Sequence, residues 1–298
     1  MEEFLKIYPV INIVSDLGYL VMFFVFIIIA KFINNILTPY NINDQLTQKD
    51  NNALAVSLSG YFLAITIIYI GSMLGPETDE LTKDIVIKDF LLTAKYSLIG
   101  IVLLNVARII NDKIILYKFS NVKEIIEDRN VGTGMVQFGS YVASGLVIAG
   151  SIHGQVLGEP GIPDVLVTVI FFLLGQITLV LFTFIYNIIT AFDVHDEIEK
   201  DNVAAGVAFG GTLIAIGIVL MRATAGDFLS WEYNLSRFAF SSVLVCILLP
   251  VVRYLFDKLI LSNASLNHEI SVDKNNGAAY LEVVLAVSVA SVMSFIAV

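Results

Sequence analysis

The sequence predicts an all-α integral membrane protein with about eight transmembrane helices, made from four parallel copies of a two-helix repeat. Three observations lead there. Apolar residues fall in long runs such as Leu20–Ile33, Tyr96–Val106, Val165–Leu181 and Ser242–Val252. Of 298 residues, 57% are hydrophobic and 15% charged, against roughly 45–50% and 25% in soluble domains; the mean hydropathy is +0.83. A polar stretch ending in asparagine recurs four times at nearly even spacing.

Crossing roughly 30 Å of hydrocarbon takes about 20 residues at about 1.5 Å each. The first segment that satisfies this is 11–35. Glu2, Glu3 and Lys6 precede it, which is wrong for the basic start of a cleaved secretory signal, so the helix is expected to stay as an anchor. The second, 53–74, opens on Asn52 and small residues and stops before Pro76. The third, 88–113, ends in bases, and the fourth, 131–153, starts after Asn130 and finishes ahead of Pro160 and Pro163. Proline in those loops is where helix breakers belong. Then come 164–191 and, behind Asn202, 203–223. The seventh, 236–260, holds Pro250, which predicts a kink because it lacks the N–H of the helical ladder. The eighth, 277–298, follows Asn276.

The asparagine-bearing stretches read NDQLTQKDNNALAVSLSG from Asn43, VKEIIEDRNVGTGMVQFG from Val122, HDEIEKDNVAAGVAFGG from His195 and NHEISVDKNNGAAYLEVV from Asn267. Anchored on Asn52, Asn130, Asn202 and Asn276, their spacings by subtraction are 78, 72 and 74 residues. Odd-numbered spans carry a weaker mark, a base followed four residues later by an amide or acid: Lys31/Asn35, Arg108/Asp112 and Arg253/Asp257, with Thr183/Asn187 in the third copy. Such pairs share one helix face. Two crossings per repeat put all four repeats in the same orientation, so the expected arrangement is pseudo-two-fold or pseudo-four-fold about the membrane normal. Two four-helix units follow, 1–155 and 156–298.

Eleven of the 17 lysines and arginines fall on the asparagine-bearing side, many of them in the loop Arg108–Arg129. Positive charge marks the cytoplasmic face, so the asparagine loops are expected inside and both termini outside. The net charge of −10 comes with no basic stripe, which argues against nucleic acid as a partner. The lone Cys246 rules out a disulfide framework or zinc knuckle within one chain.

The segment Leu37–Ala64 carries Thr38-Pro39, a polar stretch, Asn52, Ala53, Ala55 and Gly60. It resembles the YjfL-like bacterial inner-membrane family, domain of unknown function number 350. Asn130, Gly132, Thr133 and Gly134 match that family's second half, and DNVAAGVAFGG at 201–211 is similar to its pattern again. One family unit has about four helices, so the resemblance implies two units in tandem. The fourth copy departs, with Tyr280 and Glu282 where small residues are expected and no early glycine. The resemblance implies a bacterial inner-membrane location, in some cases encoded near membrane-stress components, and brings no settled activity.

Asn52, Asn130, Asn202 and Asn276 are natural helix N-caps; as binding residues they would ring an axis and coordinate an ion or polar solute. Lys31, Arg108 and Arg253 either snorkel to head groups or bind an anionic lipid or substrate. Glu282, an acid in an apolar span, is the candidate proton relay. Lys95 and Gln137 are polar groups in similar surroundings, while Asn105 and Gln176 suit interhelical bonds. The acids of Asp193–Asp201 match no calcium-loop spacing, and no metal site is assigned. No nucleophile–base set or phosphate loop appears, so neither an enzyme nor a cofactor is expected. Beyond the lipid bilayer, a second copy of the chain and peripheral membrane proteins are the candidate partners. Two functions remain: a channel- or transporter-like bundle for small ions or polar solutes, or a non-transporting scaffold. Polar residues along an interior axis would favour the first, and a packed apolar interior the second.

Overall fold

The computed structural model describes residues 10–74, 82–157, 161–261 and 264–296. Glu2, Glu3, Lys6, Pro76 and Pro160 lie outside these. Each repeat folds as three helices: a long outer span, a short polar helix and a long inner span. The first repeat comprises α1 (Val10–Leu37), α2 (Ile42–Thr47) and α3 (Asn52–Met73). The second has α4 (Lys83–Ile110), α5 (Asn121–Ile126) and α6 (Val131–Ile152). α7 (Asp164–Ile189), α8 (Val194–Glu199) and α9 (Val203–Thr224) form the third, and α10 (Trp231–Leu259), α11 (Leu266–Ser271) and α12 (Asn276–Ile296) the fourth. Among the described residues, eight helices are long and apolar enough to cross a membrane. The chain is thus an all-α, multi-pass membrane protein built of repeats. The polar stretches read from sequence as loops are the short helices α2, α5, α8 and α11.

Local chemistry sets each boundary. Asn41, Ser120 and Asp193 cap α2, α5 and α8 with side-chain oxygens. A non-glycine residue with positive φ then turns the chain into each inner span: Asp50 (49°), Arg129 (55°), Asp201 (56°) and Lys274 (50°). Left-handed backbone is uncommon outside glycine, so its recurrence at one place in every repeat fixes the true register. Pro163 occupies the N-cap of α7. Pro250 lies within α10, which continues past it to Leu259.

The inner spans form the core, α3 packing on α6, α6 on α9 and α9 on α12. Small residues make this possible: a Cβ built on Gly71 would sit 2.8 Å from the Cα of Ala149, and one on Gly217 2.6 Å from the Cα of Ala143. Backbones that close gain dispersion contacts, which drive helix association when lipid removes the hydrophobic difference. The outer spans flank this seam. Phe24, Ile28 and Phe32 of α1, Leu173, Ile177, Leu181 and Phe184 of α7, and Phe240, Val243 and Ile247 of α10 are exposed at helical spacing, as lipid-facing stripes should be. At the end opposite the short helices, residues 153–157 and 226–228 pair across the two halves. Phe228 N–H donates to the Gln155 carbonyl at 2.9 Å and Leu157 N–H to Phe228 at 3.0 Å. Gly154, at φ +119°, lets the two segments meet.

Candidate functional site

The recurrent asparagine proves to be a clip between repeats. In the first repeat it is Asn51, not Asn52: Asn51 Oδ1 accepts from Leu54 N–H at 3.0 Å, while Asn52 is exposed. In the fourth it is Asn275, not Asn276, with Gly277 N–H donating to Asn275 Oδ1 at 2.9 Å. The shift arises because both copies read Asn-Asn, and only the first of the pair follows the left-handed residue. Asn130 and Asn202 stand as expected, capping through Thr133 and Ala205 N–H at 2.9 and 3.1 Å.

The other side of each amide is equally regular. Nδ2 of Asn51, Asn130, Asn202 and Asn275 donates to Gln45, Glu124, Glu197 and Glu269 of its own short helix, at 3.2, 2.8, 3.1 and 2.8 Å. Three of them also reach the next repeat: Asn51 donates to the Ile125 carbonyl at 2.8 Å, Asn130 to Ile198 at 2.6 Å and Asn202 to Ile270 at 2.8 Å. Buried polar groups need such partners. The amides therefore run in line from repeat to repeat, all four spent on caps and three of them also on clips. Burial pushes the Glu124 carboxyl up, and the Asn130 amide draws it partly back.

The acidic stretch 193–201 does similar work. Lys118 Nζ donates to Asp193 at 2.6 Å and Asp196 at 2.7 Å. Those bonds hold the lysine above its ordinary range. Burial lifts Asp193, but the bonds from Lys118 and from the Asp196 and His195 amides outweigh it, and its carboxyl sits low. His195, buried, places Nε2 2.7 Å from the Ile115 carbonyl.

Two pockets lie beside the seam, one per unit, at corresponding places. Arg253, Asp257 and Glu282 each come, by subtraction, 145 residues after Arg108, Asp112 and Gln137. The first pocket is lined by Asn34, Tyr40, Ser57, Tyr61, Arg108, Asp112, Gln137 and Tyr141, among others, and opens to about 370 Å³. The second, about 300 Å³, is lined by Tyr186, Thr212, Arg253, Glu282 and Ala286 with apolar neighbours. Their sizes are alike, so chemistry separates them. In the second, buried Arg253 ion-pairs with buried Glu282 and donates to Tyr186 Oη at 3.3 Å and Asn267 Oδ1 at 3.0 Å. In the first, neutral Gln137 replaces the acid. Among the described residues, Arg108 then keeps Asn34 Oδ1 at 3.3 Å and a long 3.9 Å pair with Asp112. Gln137 accepts from Ser57 at 2.5 Å and donates to Asp112 at 3.3 Å.

Lys31 and Lys95 are exposed, the latter over the Tyr96 ring. Asn105 donates to Tyr61 Oη at 3.0 Å and Gln176 to Ser144 at 3.0 Å, both interhelical as their place in apolar spans suggests. The acid or amide at the second place of these pairs does not chiefly serve the residue four before it. Asn35, Asn187 and Asp257 accept from the first N–H of the next short helix, at 3.4, 2.9 and 2.6 Å. Sequence reading missed Asn111, fully buried where α4 passes into a π-turn over Asn111–Ile115. Neither of its side-chain polar atoms has a partner among the described residues. It also missed the tyrosines of the first pocket, whose hydroxyls leave no periodic trace.

The comparisons with known proteins agree with this architecture. A curated "UPF0719 transmembrane protein" of Aquifex aeolicus (strain VF5) is 27% identical over 272 residues, covering 89% of this chain and 95% of its own length. No solved structure matches. The model of the Domain of Unknown Function DUF350 matches twice, over residues 9–152 and 161–296. The chain therefore belongs to the DUF350 family, as two of its units in tandem.

Proposed function

We propose that the protein is a transporter-like membrane protein whose first unit takes up a small polar solute or ion in the Arg108 pocket, with the second unit as its internally neutralised counterpart. The observation that carries this is the exchange of Glu282 for Gln137 at one corresponding position. It leaves Arg108 short of a close anion in a pocket rich in hydroxyls and amides. Ionisable groups at membrane depth are retained for function more often than for stability. The excess of lysine and arginine supports a bacterial inner membrane with the short helices on the cytoplasmic side. One observation favours the scaffold reading: the seam of inner spans closes backbone to backbone, so no open axis accompanies it among the described residues.

The test is flux of K⁺, Na⁺, H⁺ and Cl⁻ in sealed liposomes holding the purified protein, its Arg108→Gln variant or its Gln137→Glu variant. Flux above empty vesicles that both variants depress supports uptake through the first pocket. Flux indifferent to both moves the path elsewhere. No flux of any of the four favours the scaffold, and a pull-down on the short-helix face then follows.

A further inference from the structure

We infer that the repeat array continues from one chain to the next, the outer face of α12 of one copy docking on the outer face of α3 of a second copy. Counted from the capping asparagine, each junction uses the same positions. The second, ninth, thirteenth and twentieth residues of one inner span meet the fourth, eighth, fifteenth and nineteenth of the next. Thus Ala53, Gly60, Ala64 and Gly71 of α3 face Gly134, Phe138, Gly145 and Ala149 of α6. Gly132, Gly139, Ala143 and Gly150 of α6 face Gly206, Gly210, Gly217 and Met221 of α9. At the third junction Gly211, the ninth residue, meets Val283, the eighth.

This contact is head-to-tail, so it leaves one of each face unused. On α12 the unused set is Gly277, Val284, Ser288 and Phe295, all exposed. On α3 it is Ala55, Ser59, Thr66 and Ile70, half-buried or exposed. The pair that would meet, Val284 and Ser59, sets a bulky residue against a small one, as Gly60 with Phe138 and Gly211 with Val283 do, but with the small residue on the eighth position. The Ser59 and Thr66 hydroxyls already donate to Ala55 and Phe62 carbonyls within their own helix, so packing strands neither.

Two independent observations mark the same ends. The asparagine clip stops there: Asn275 is the one cap that donates to no following repeat, and the matching Leu46 carbonyl accepts nothing among the described residues. The terminal outer spans are also bare. The α1 and α10 spans are 17% and 22% buried, against 50% for α4 and α7 between them. In the chain, each outer span α4, α7 and α10 also packs on the inner span of the preceding repeat. The α1 of a second copy would lie the same way on α12. A head-to-tail contact of this type closes into a ring or runs on as a row, every repeat keeping one orientation in the bilayer.

Cysteine cross-linking in native membranes tests this, in a Cys246→Ser background. Chains carrying Ser59→Cys and Val284→Cys, differently tagged, are co-expressed and oxidised; one chain with Ala215→Cys and Ala290→Cys verifies that oxidation bridges this kind of junction. The expected result is a mixed Ser59→Cys/Val284→Cys dimer in place of monomer, lost when Asn275→Ala and Ser288→Trp are introduced in turn. Like-with-like dimers alone would mean a different, isologous interface. Monomer alone, with the internal control bridged, would mean lipid covers both faces. Either of these outcomes overturns the inference.

Discussion

Asn51 and Asn52 differ by one position and by nearly all of their energetics. Replacing Asn51 or Asn130 by Ala removes a cap, worth about 0.5–2 kcal/mol, and leaves a buried carbonyl of the next repeat without its donor, about 1–3 kcal/mol more. Asn52→Ala, on an exposed side chain, should stay within about 0.5 kcal/mol of the parent. Thermal unfolding in detergent compares the three directly. A loss at Asn52 equal to that at Asn51 would contradict the register. Asp193 gives a pH signature. Its carboxyl is held below the ordinary value near about 3.9 when folded. The stability it contributes is therefore present above that value and lost as pH falls through it toward the lower folded one. Asp193→Asn should flatten this acid-side loss, and added salt should weaken the parent's Lys118 pairing, since the groups face water.

At the scale of the helix, the seam depends on glycine at the ninth position. A Cβ built on Gly139 would lie 2.6 Å from the Cα of Gly210, backbone that cannot rotate aside. Gly139→Val should cost about 1–3 kcal/mol from overpacking and shift α6 away from α9; Val284→Ala, on an exposed face, should leave the monomer's unfolding temperature unchanged. Differential scanning fluorimetry reads both. In the fourth copy the ninth position is Val284, which meets no later inner span in its own chain; in the inferred array it faces Ser59 of a second copy, so the small residue there stands on α3 instead. The spans themselves were legible, because hydropathy reports solvent and hydrocarbon admits few alternatives to a helix. The short helices were not. Six residues, fewer than two turns, give too little periodicity to read, and α2, α5, α8 and α11 exist because a side-chain oxygen or amide donor at each end holds them.

For the whole molecule, the two units are one design with one charge altered. Glu282→Gln leaves buried Arg253 without its anion and should destabilise the protein by about 3–5 kcal/mol. Gln137→Glu adds a carboxylate beside Arg108, where Asp112 already waits at 3.9 Å, and should change stability less than it changes solute uptake. Denaturant midpoints for both single variants and the double exchange show whether the units respond independently.

What the sequence determined was the solvent, the eight spans, the four repeats and their common orientation, since each rests on composition and period alone. Family membership was equally legible, from small residues set behind asparagine. Tertiary structure decided the register by one residue, the use of the amides as clips, and the union of Arg253 with Glu282 across 29 positions of chain. Hydropathy carries no record of which polar groups meet. That depends on helix rotation and on how closely glycine lets two backbones approach, and both are fixed only when the spans pack.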